Sequence, residues 1–417
     1  MSAPRRATTS PGSDRKRWRG PTTSSTRPPK PVHADRRRPG RRALLRWAAA
    51  TWLAPRTTLS AEDAADVTLV GAIRWDAWQT PGSTPNDAVA RALSPPQYRH
   101  RLPFFARLRD DGSAEVDGGT QAVMDREIEL ARRAGLNFWA FVSYPRENPM
   151  SAGLELYLAS SQRETLRFCL ISGLIDWGVP SSFPNAHLRW QIELLSHPAY
   201  LRIGGRPLLF LGLMPDRLMA ERWGGADRLR AAVAHFRELA VASGAGDPFI
   251  VLLGRPDRRP DPGPAMRAGL GADALGAYAI FDAVSQGSFD ELRSEAERQW
   301  DRYAGTGAPV VPTVMSGWDR RPRIENPMPW EAWQRPGAGM DRYYASPTAE
   351  QLAAHLARAL DWVERNPAAQ PARAIVVYAW NENDEGGWLV PTLPFDDSRI
   401  AAFRRLLCAP ARPVACP

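Results

Sequence analysis

Lysine is almost missing from this chain of 417 residues: only Lys16 and Lys30 occur, and none follows position 30. That excludes a Schiff-base lysine, a pyridoxal-phosphate lysine and a P-loop lysine from everything downstream. There is no G-x-S-x-G, no H-E-x-x-H and no G-x-G-x-x-G after a strand-like run. The six histidines show no metal-ligand spacing, so neither a metal nor an organic cofactor is expected. Cysteine is scarce too. Cys169 sits in the apolar run R-F-C-L-I-S and reads as a buried thiol. Cys408 and Cys416 are close enough in sequence to pair if the protein is exported, a choice the spacing leaves open. No segment is long and apolar enough to read as a membrane span, so stable membrane insertion is not expected.

Acidic residues are scarce at one end only. Residues 1–60 hold 15 Lys+Arg against 2 Asp+Glu, a net +13 within a chain total of +9, which leaves the remainder at −4. The basic balance therefore belongs to a leader and gives the body no case for binding nucleic acid. Residues 1–61 read as a disordered leader, rich in Arg, Pro, Ser and Thr, and residues 62–417 as one domain. Within the leader, Arg41-Arg42 precede a short, weakly apolar run through Leu53-Ala54 and then small residues near Ser60-Ala61. This resembles a twin-arginine export signal and predicts a periplasmic or extracellular protein, with a cytoplasmic one as the alternative. Oligomeric state is not readable.

From Asp66 onward, short apolar runs alternate with helical periodicity. Strands are expected at Val67–Ile73, Asn137–Phe141, Phe168–Ser172, Leu208–Leu213, Phe249–Leu253, Ala274–Ile280, Val310–Val314 and Ile375–Tyr378. Helices are expected between them, among them Thr120–Ala134, Ala226–Ala242, Phe289–Tyr303 and Asp397–Leu407. Such alternation means parallel pairing through right-handed crossovers. Eight units predict an α/β fold, a (β/α)8 TIM barrel whose site lies at the C-terminal strand ends. An open doubly wound sheet competes with it. That fold needs a glycine-rich loop after strand one, where this chain has R-W-D-A-W.

Polar and aromatic clusters fall where the barrel would place a site. Arg74, Trp75, Asp76 and Trp78 follow the first run, Tyr144 the second, Asp176 and Trp177 the third, Trp318 and Asp319 the seventh. The eighth run, A-I-V-V-Y-A, ends abruptly in Trp380, Asn381, Glu382, Asn383, Asp384 and Glu385, closed by Gly386-Gly387. Glu382 and Glu385 are three residues apart, so one turn can aim both carboxyl groups at one small volume. Such a pair can divide acid and base work. Like charge and desolvation should keep one of them protonated near neutral pH. Indole faces pack on the C–H faces of sugars, while Asp, Asn and Arg bind hydroxyls. Arg74 with Asp76, and Asp319 with Arg321, are equally readable as plain ion pairs, and individual tryptophans as core.

Two motifs carry a family resemblance. Asn381-Glu382-x-x-Glu385-Gly386, with Leu389 and Pro391, resembles the N-E-x-x-E-G-x-x-[IL]-x-P segment of glycoside hydrolase family 99, the endo-α-mannosidases and endo-α-mannanases. Gly317-Trp318-Asp319-x-x-Pro322-Arg323 resembles the G-W-D-x-x-P-R segment of their bacterial relatives encoded in surface-polysaccharide clusters. Family 71 α-1,3-glucanases have a similar W-N-[DE]-x-x-E segment. This chain departs from family 99 in having Asn383-Asp384 between the glutamates, Val390 at an acidic position, and R-W-D-A-W after strand one.

The resemblance implies a (β/α)8 glycosidase acting on an α-linked glycan or surface polysaccharide, without metal or cofactor. It implies Glu385 as the general acid/base and Glu382 as its partner carboxylate. In family 99 that partner deprotonates the substrate's own 2-hydroxyl; a family-71-like reading has it activate water. Two other classes stay open: a non-catalytic carbohydrate-binding barrel, and a glycosyltransferase-like protein of polysaccharide assembly. The latter needs a diphosphate site, and no D-x-D or glycine-rich turn stands out.

Overall fold

The computed structural model describes residues 67–212, 216–255, 260–282 and 285–409. The leader, its paired arginines and Cys416 lie outside these residues, and so does the question of the Cys408–Cys416 pair.

Eight parallel strands form a nearly closed barrel: β1 (Leu69–Arg74), β2 (Phe138–Ser143), β3 (Arg167–Gly173), β4 (Arg206–Gly212), β5 (Phe249–Gly254), β6 (Ala274–Ala277), β7 (Thr313–Met315) and β8 (Ala374–Tyr378). The hydrogen-bonded order is β7-β8-β1-β2-β3-β4-β5-β6. Closure between β6 and the chain entering β7 rests on one parallel bridge, Leu275 to Val310, in which Val311 N–H donates to the Leu275 carbonyl at 2.7 Å. Strand seven begins later than its apolar run, which starts at Val310. Pro309 and Pro312 have no N–H to give to a ladder, so pairing there breaks into pieces. Strand six likewise stops at Ala277, short of Ile280.

The strands are buried along nearly their whole length, as a barrel wall covered by helices requires. β1 carries Gly71 between β8 and β2, and the Phe138 ring fills the place of the missing side chain. A Cβ there would stand 2.4 Å from that ring. Helix starts follow local chemistry. Thr120 accepts from Val123 N–H ahead of Gln121–Arg133, and Ser288 and Thr348 form reciprocal capping boxes ahead of Phe289–Ala304 and Ala349–Arg365.

The long connection after β1, whose Pro- and Gly-rich sequence reads as a loop, contains the helix Thr84–Leu93 and a hairpin, Ala106–Leu108 with Ala114–Val116. Pro85, which suggests a loop, stands in the first turn of that helix, where no N–H is needed. Among the described residues no helix is long and apolar enough to cross a membrane.

Candidate active site

Strand β8 ends at Tyr378, and the chain then forms a tight hairpin in which Asn381 pairs with Trp388 and Glu382 with Gly387. Asn383–Glu385 make the connecting turn, so Glu382 and Glu385 both reach one cavity of about 450 Å³. Its walls include Trp75 from the end of β1, Tyr144 after β2, Tyr278 after β6, and Arg323 and Trp330 beyond β7.

Arg323 is the organising cation. Its Nη1 donates to Glu385 Oε1 at 2.5 Å and to Glu331 Oε1 at 3.2 Å. Its Nε donates to Asp384 Oδ2 at 2.6 Å, and its Nη2 reaches Glu382 Oε2 at 3.3 Å. Arg320 adds an ion pair to Glu385 at 3.0 Å and another to Glu331 at 2.5 Å. Tyr378 donates to Glu385 Oε2, and Tyr278 donates to Glu382 Oε1 at 2.5 Å.

These surroundings split the pair. Burial raises the Glu382 carboxyl well above its ordinary range, the neighbouring Glu385 raises it further, and Arg323 opposes only in part. Burial acts on Glu385 too, but Arg323 and then Arg320 outweigh it and hold that group below its ordinary value. The two carboxyl groups are thus shifted in opposite directions, Glu382 up and Glu385 down. The group raised is Glu382, whereas the resemblance implies Glu385 as the acid. The reason is that the two closest cation contacts both fall on Glu385.

The other expected site residues divide into wall, support and core. Trp75 and Tyr144 are wall, joined by Trp75 Nε1–H donating to the Tyr144 hydroxyl at 2.8 Å. Asn381 is support. Its Oδ1 accepts from Trp75 N–H and its Nδ2 donates to Trp75 C=O, both at 2.8 Å, which ties the end of β8 to that of β1. Arg74 and Asp76 do form a plain ion pair, at 2.7 Å, buried behind the wall. Burial lifts Asp76 to about 6 against the pull of Arg74. Arg74 also meets Glu127 through two hydrogen bonds, and Trp380 Nε1–H donates to Glu127 at 2.8 Å, so Trp380 lies inside the barrel.

Asp319 pairs with Arg321 at 2.7 Å and with Arg101, and its N–H donates to Glu385 C=O at 2.6 Å. It shapes the turn rather than facing the cavity. Trp318 stacks on Phe281 at 4.1 Å, away from the cavity wall. Trp78 and Trp177 are interior packing residues, against Phe105 in the first case and Phe183 and Phe236 in the second. Asp176, the chain neighbour of Trp177, is half-buried. These indoles fill volume because no other side chain fills as much.

Sequence reasoning missed Glu127, Tyr278, Tyr378, Arg320 and Glu331, and used Arg323 only as a motif letter. Glu127 does leave a signal: it falls on the buried face of its helix with Met124, Ile128 and Ala131, where an unpaired acid would be costly.

Carboxyl groups that share one buried cation at the C-terminal end of β8, under an aromatic wall, stand where (β/α)8 barrels carry their sites. No protein-family profile matches the chain. An uncharacterized protein, WxcX, of Xanthomonas campestris pv. campestris (strain B100) is 26% identical over 378 residues, covering 80% of this chain and 47% of its own. The chain thus spans about half the length of that curated relative. Among solved structures, the family 99 endo-α-mannosidase of Bacteroides thetaiotaomicron superposes with a TM-score of 0.51 at 13% identity, over 82% of this chain and 98% of that one. A glycoside hydrolase-like protein gives 0.50 at 12% identity, over 81% and 93%. At such identities the likeness is one of fold.

Proposed function

We propose that the barrel is a glycoside hydrolase acting on an α-linked glycan or surface polysaccharide, with Glu382 and Glu385 as its acid/base pair. The observation that carries this is the pair itself: two carboxyl groups on one turn, facing one aromatic cavity, one raised by burial and the other held down by two guanidinium groups. Glu382, as the protonated member, gives its proton to the leaving glycosidic oxygen as the C–O bond breaks. Glu385, as the carboxylate, takes a proton from the attacking hydroxyl, whether water or the substrate's own 2-hydroxyl, so the pair ends with its proton count unchanged.

Charge around the cavity supports the same reading. Two guanidinium groups, Arg320 and Arg323, face four carboxyl groups, Glu331, Glu382, Asp384 and Glu385. An excess of carboxylate stabilises a sugar ring that turns cationic in the transition state. It opposes a sugar-nucleotide diphosphate, which weighs against the transferase alternative. The fold neighbour named endo-α-mannosidase puts α-mannans first among substrates to try and makes endo action the mode to test. One observation favours a binding protein instead: Arg323 already engages both glutamates, and a network so tied can hold a glycan without cleaving it.

The test is a pair of variants on two kinds of glycoside. Glu382→Gln keeps shape but cannot donate a proton, so turnover of an unactivated glycan should fall by about 10²–10⁴. An aryl or fluoride glycoside, whose leaving group needs no proton, should recover part of that loss, and Glu385→Gln should stay inactive on both. Recovery by Glu385→Gln instead would return the acid role to Glu385, as the resemblance implies. Glycans bound but never cleaved by the wild type would establish the binding reading.

A further inference from the structure

A second cavity, of about 420 Å³, shares no lining residue with the first. It lies against Trp388, on the return strand of the glutamate hairpin, and is lined also by Arg399, His100, Thr392, Asp396 and Ser398. Arg399 is its unusual member. The residue is only 9% exposed, and its guanidinium lies 3.8 Å from the centre of the Trp388 ring. Its Nη1 donates to the Trp388 carbonyl at 2.6 Å and the Ser316 carbonyl at 3.3 Å. Among the described residues no carboxylate comes within ion-pair distance of it, while Arg74, Arg101 and Arg323, buried like it, each have one or more. Buried charges are ordinarily paired, because an uncompensated one is costly.

Burial lowers the Arg399 guanidinium to about 9; Asp396 opposes this from a distance and Arg101 adds to it. That is the behaviour of a cation short of a counter-ion. Asp396 is already committed, its Oδ1 accepting from Ser398 N–H at 2.9 Å. Arg399 stands in the first turn of the helix Ser398–Leu407, whose N-cap residue Asp397 makes no side-chain cap bond. The first two residues of that helix, Ser398 and Arg399, line the same space.

We propose that this cavity binds a small oxyanion: a carboxylate, phosphate or sulfate group, free or carried on an acidic sugar. The guanidinium supplies directed donors and charge, and the Thr392 and Ser398 hydroxyls add neutral ones. Asp396 is the one acid at the site, and it disfavours the ligand. This site stands independently of the glycosidase reading and is tested without turnover.

The experiment is calorimetric titration of the full chain with sulfate, orthophosphate and D-glucuronate, and with D-glucose as a neutral control. Saturable binding with a dissociation constant of about 1 mM or tighter is expected for at least one anion and not for glucose. Arg399→Gln should weaken it about tenfold or more, and Asp396→Asn should tighten it. Anion binding to the basic leader is common to all variants and is not counted. Response to glucuronate alone would assign the site to an acidic sugar; response to the inorganic ions would assign it to a free anion. No variant-sensitive binding of any anion overturns the proposal. If Arg399→Gln fails to fold, Asp396→Asn decides: unchanged or weaker binding overturns it.

Discussion

Glu382 and Glu385 differ in what surrounds their carboxyl groups, and that difference has a sign in stability. Glu382 has its folded pKa raised above the ordinary value of 4.5, first by burial and then by Glu385. Between those two values the unfolded chain has released a proton that the folded chain still holds. Rising pH therefore favours unfolding, by up to about 1.4 kcal/mol per pH unit. Glu385 is lowered, so its contribution is present above 4.5 and lost as pH falls through its folded value. Glu382→Gln removes a costly carboxyl, and Gln can still accept from Tyr278. Its melting temperature should exceed that of the wild type at pH 8 by more than it does at pH 5. Glu385→Gln strips Arg323 and Arg320 of their shared carboxylate and should melt below the wild type at pH 7. Thermal melts of both across pH 5 to 8 check this, and parallel shifts would mean the proton is not where the contacts put it. The glutamates were legible in the sequence because polarity flips so sharply after β8. The residues that set their charges were not, because Arg320, Arg323 and Glu331 reach the pair only through folding of the segment after β7.

At the scale of elements, helix and strand periods placed all eight barrel strands, and Ala226–Ala242 appears with the ends its periodicity indicates. What periodicity could not show is how two turns dock. Gly317 and Gly386 both have positive φ, at 144° and 86°, and their backbones meet. A Cβ on Gly317 would stand 2.0 Å from Gly386 O, and one on Gly386 would stand 2.5 Å from Asp319 N. The two motif segments, G-W-D after β7 and E-G after β8, are thus one unit held backbone to backbone, which is why the glutamate turn sits where it does. Gly386→Ala should cost about 1–3 kcal/mol in strain alone, and more from a contact with backbone that cannot move aside. Gly307 gives the control, since it too has positive φ, at 76°, but open space around its Cβ position. In urea unfolding, Gly386→Ala should lose more stability than Gly307→Ala; equal losses would mean that the close approach is not part of the folded protein. The helix Thr84–Leu93 was hidden for a different reason: its proline and short length look like loop until the barrel supplies a surface for it to pack on.

Over the whole molecule the charge is sharply divided. The body from residue 61 carries −4 and contains no lysine, while residues 1–60 carry +13. A barrel with no lysine places arginine at its buried ion pairs among the described residues, using forks that bind several carboxylates at once, as Arg323 does, and lysine's point charge would not replace them. The leader's arginines are set in proline, serine and threonine, so its charge calls for a different role. We propose that Arg41-Arg42 and the short apolar run after them direct export. The surface polysaccharide that the site is proposed to cleave would then lie on the same side of the membrane as the enzyme. Arg41→Lys with Arg42→Lys preserves the charge of the leader but not the paired guanidinium groups. If those groups are what is recognised, the double variant should remain in the cytoplasm of the native host while the wild type is found outside it, with the barrel equally folded in both. If charge alone mattered, the double variant would be exported like the wild type. If the leader served another purpose, wild-type protein would fractionate with the cytoplasm, its N-terminus intact.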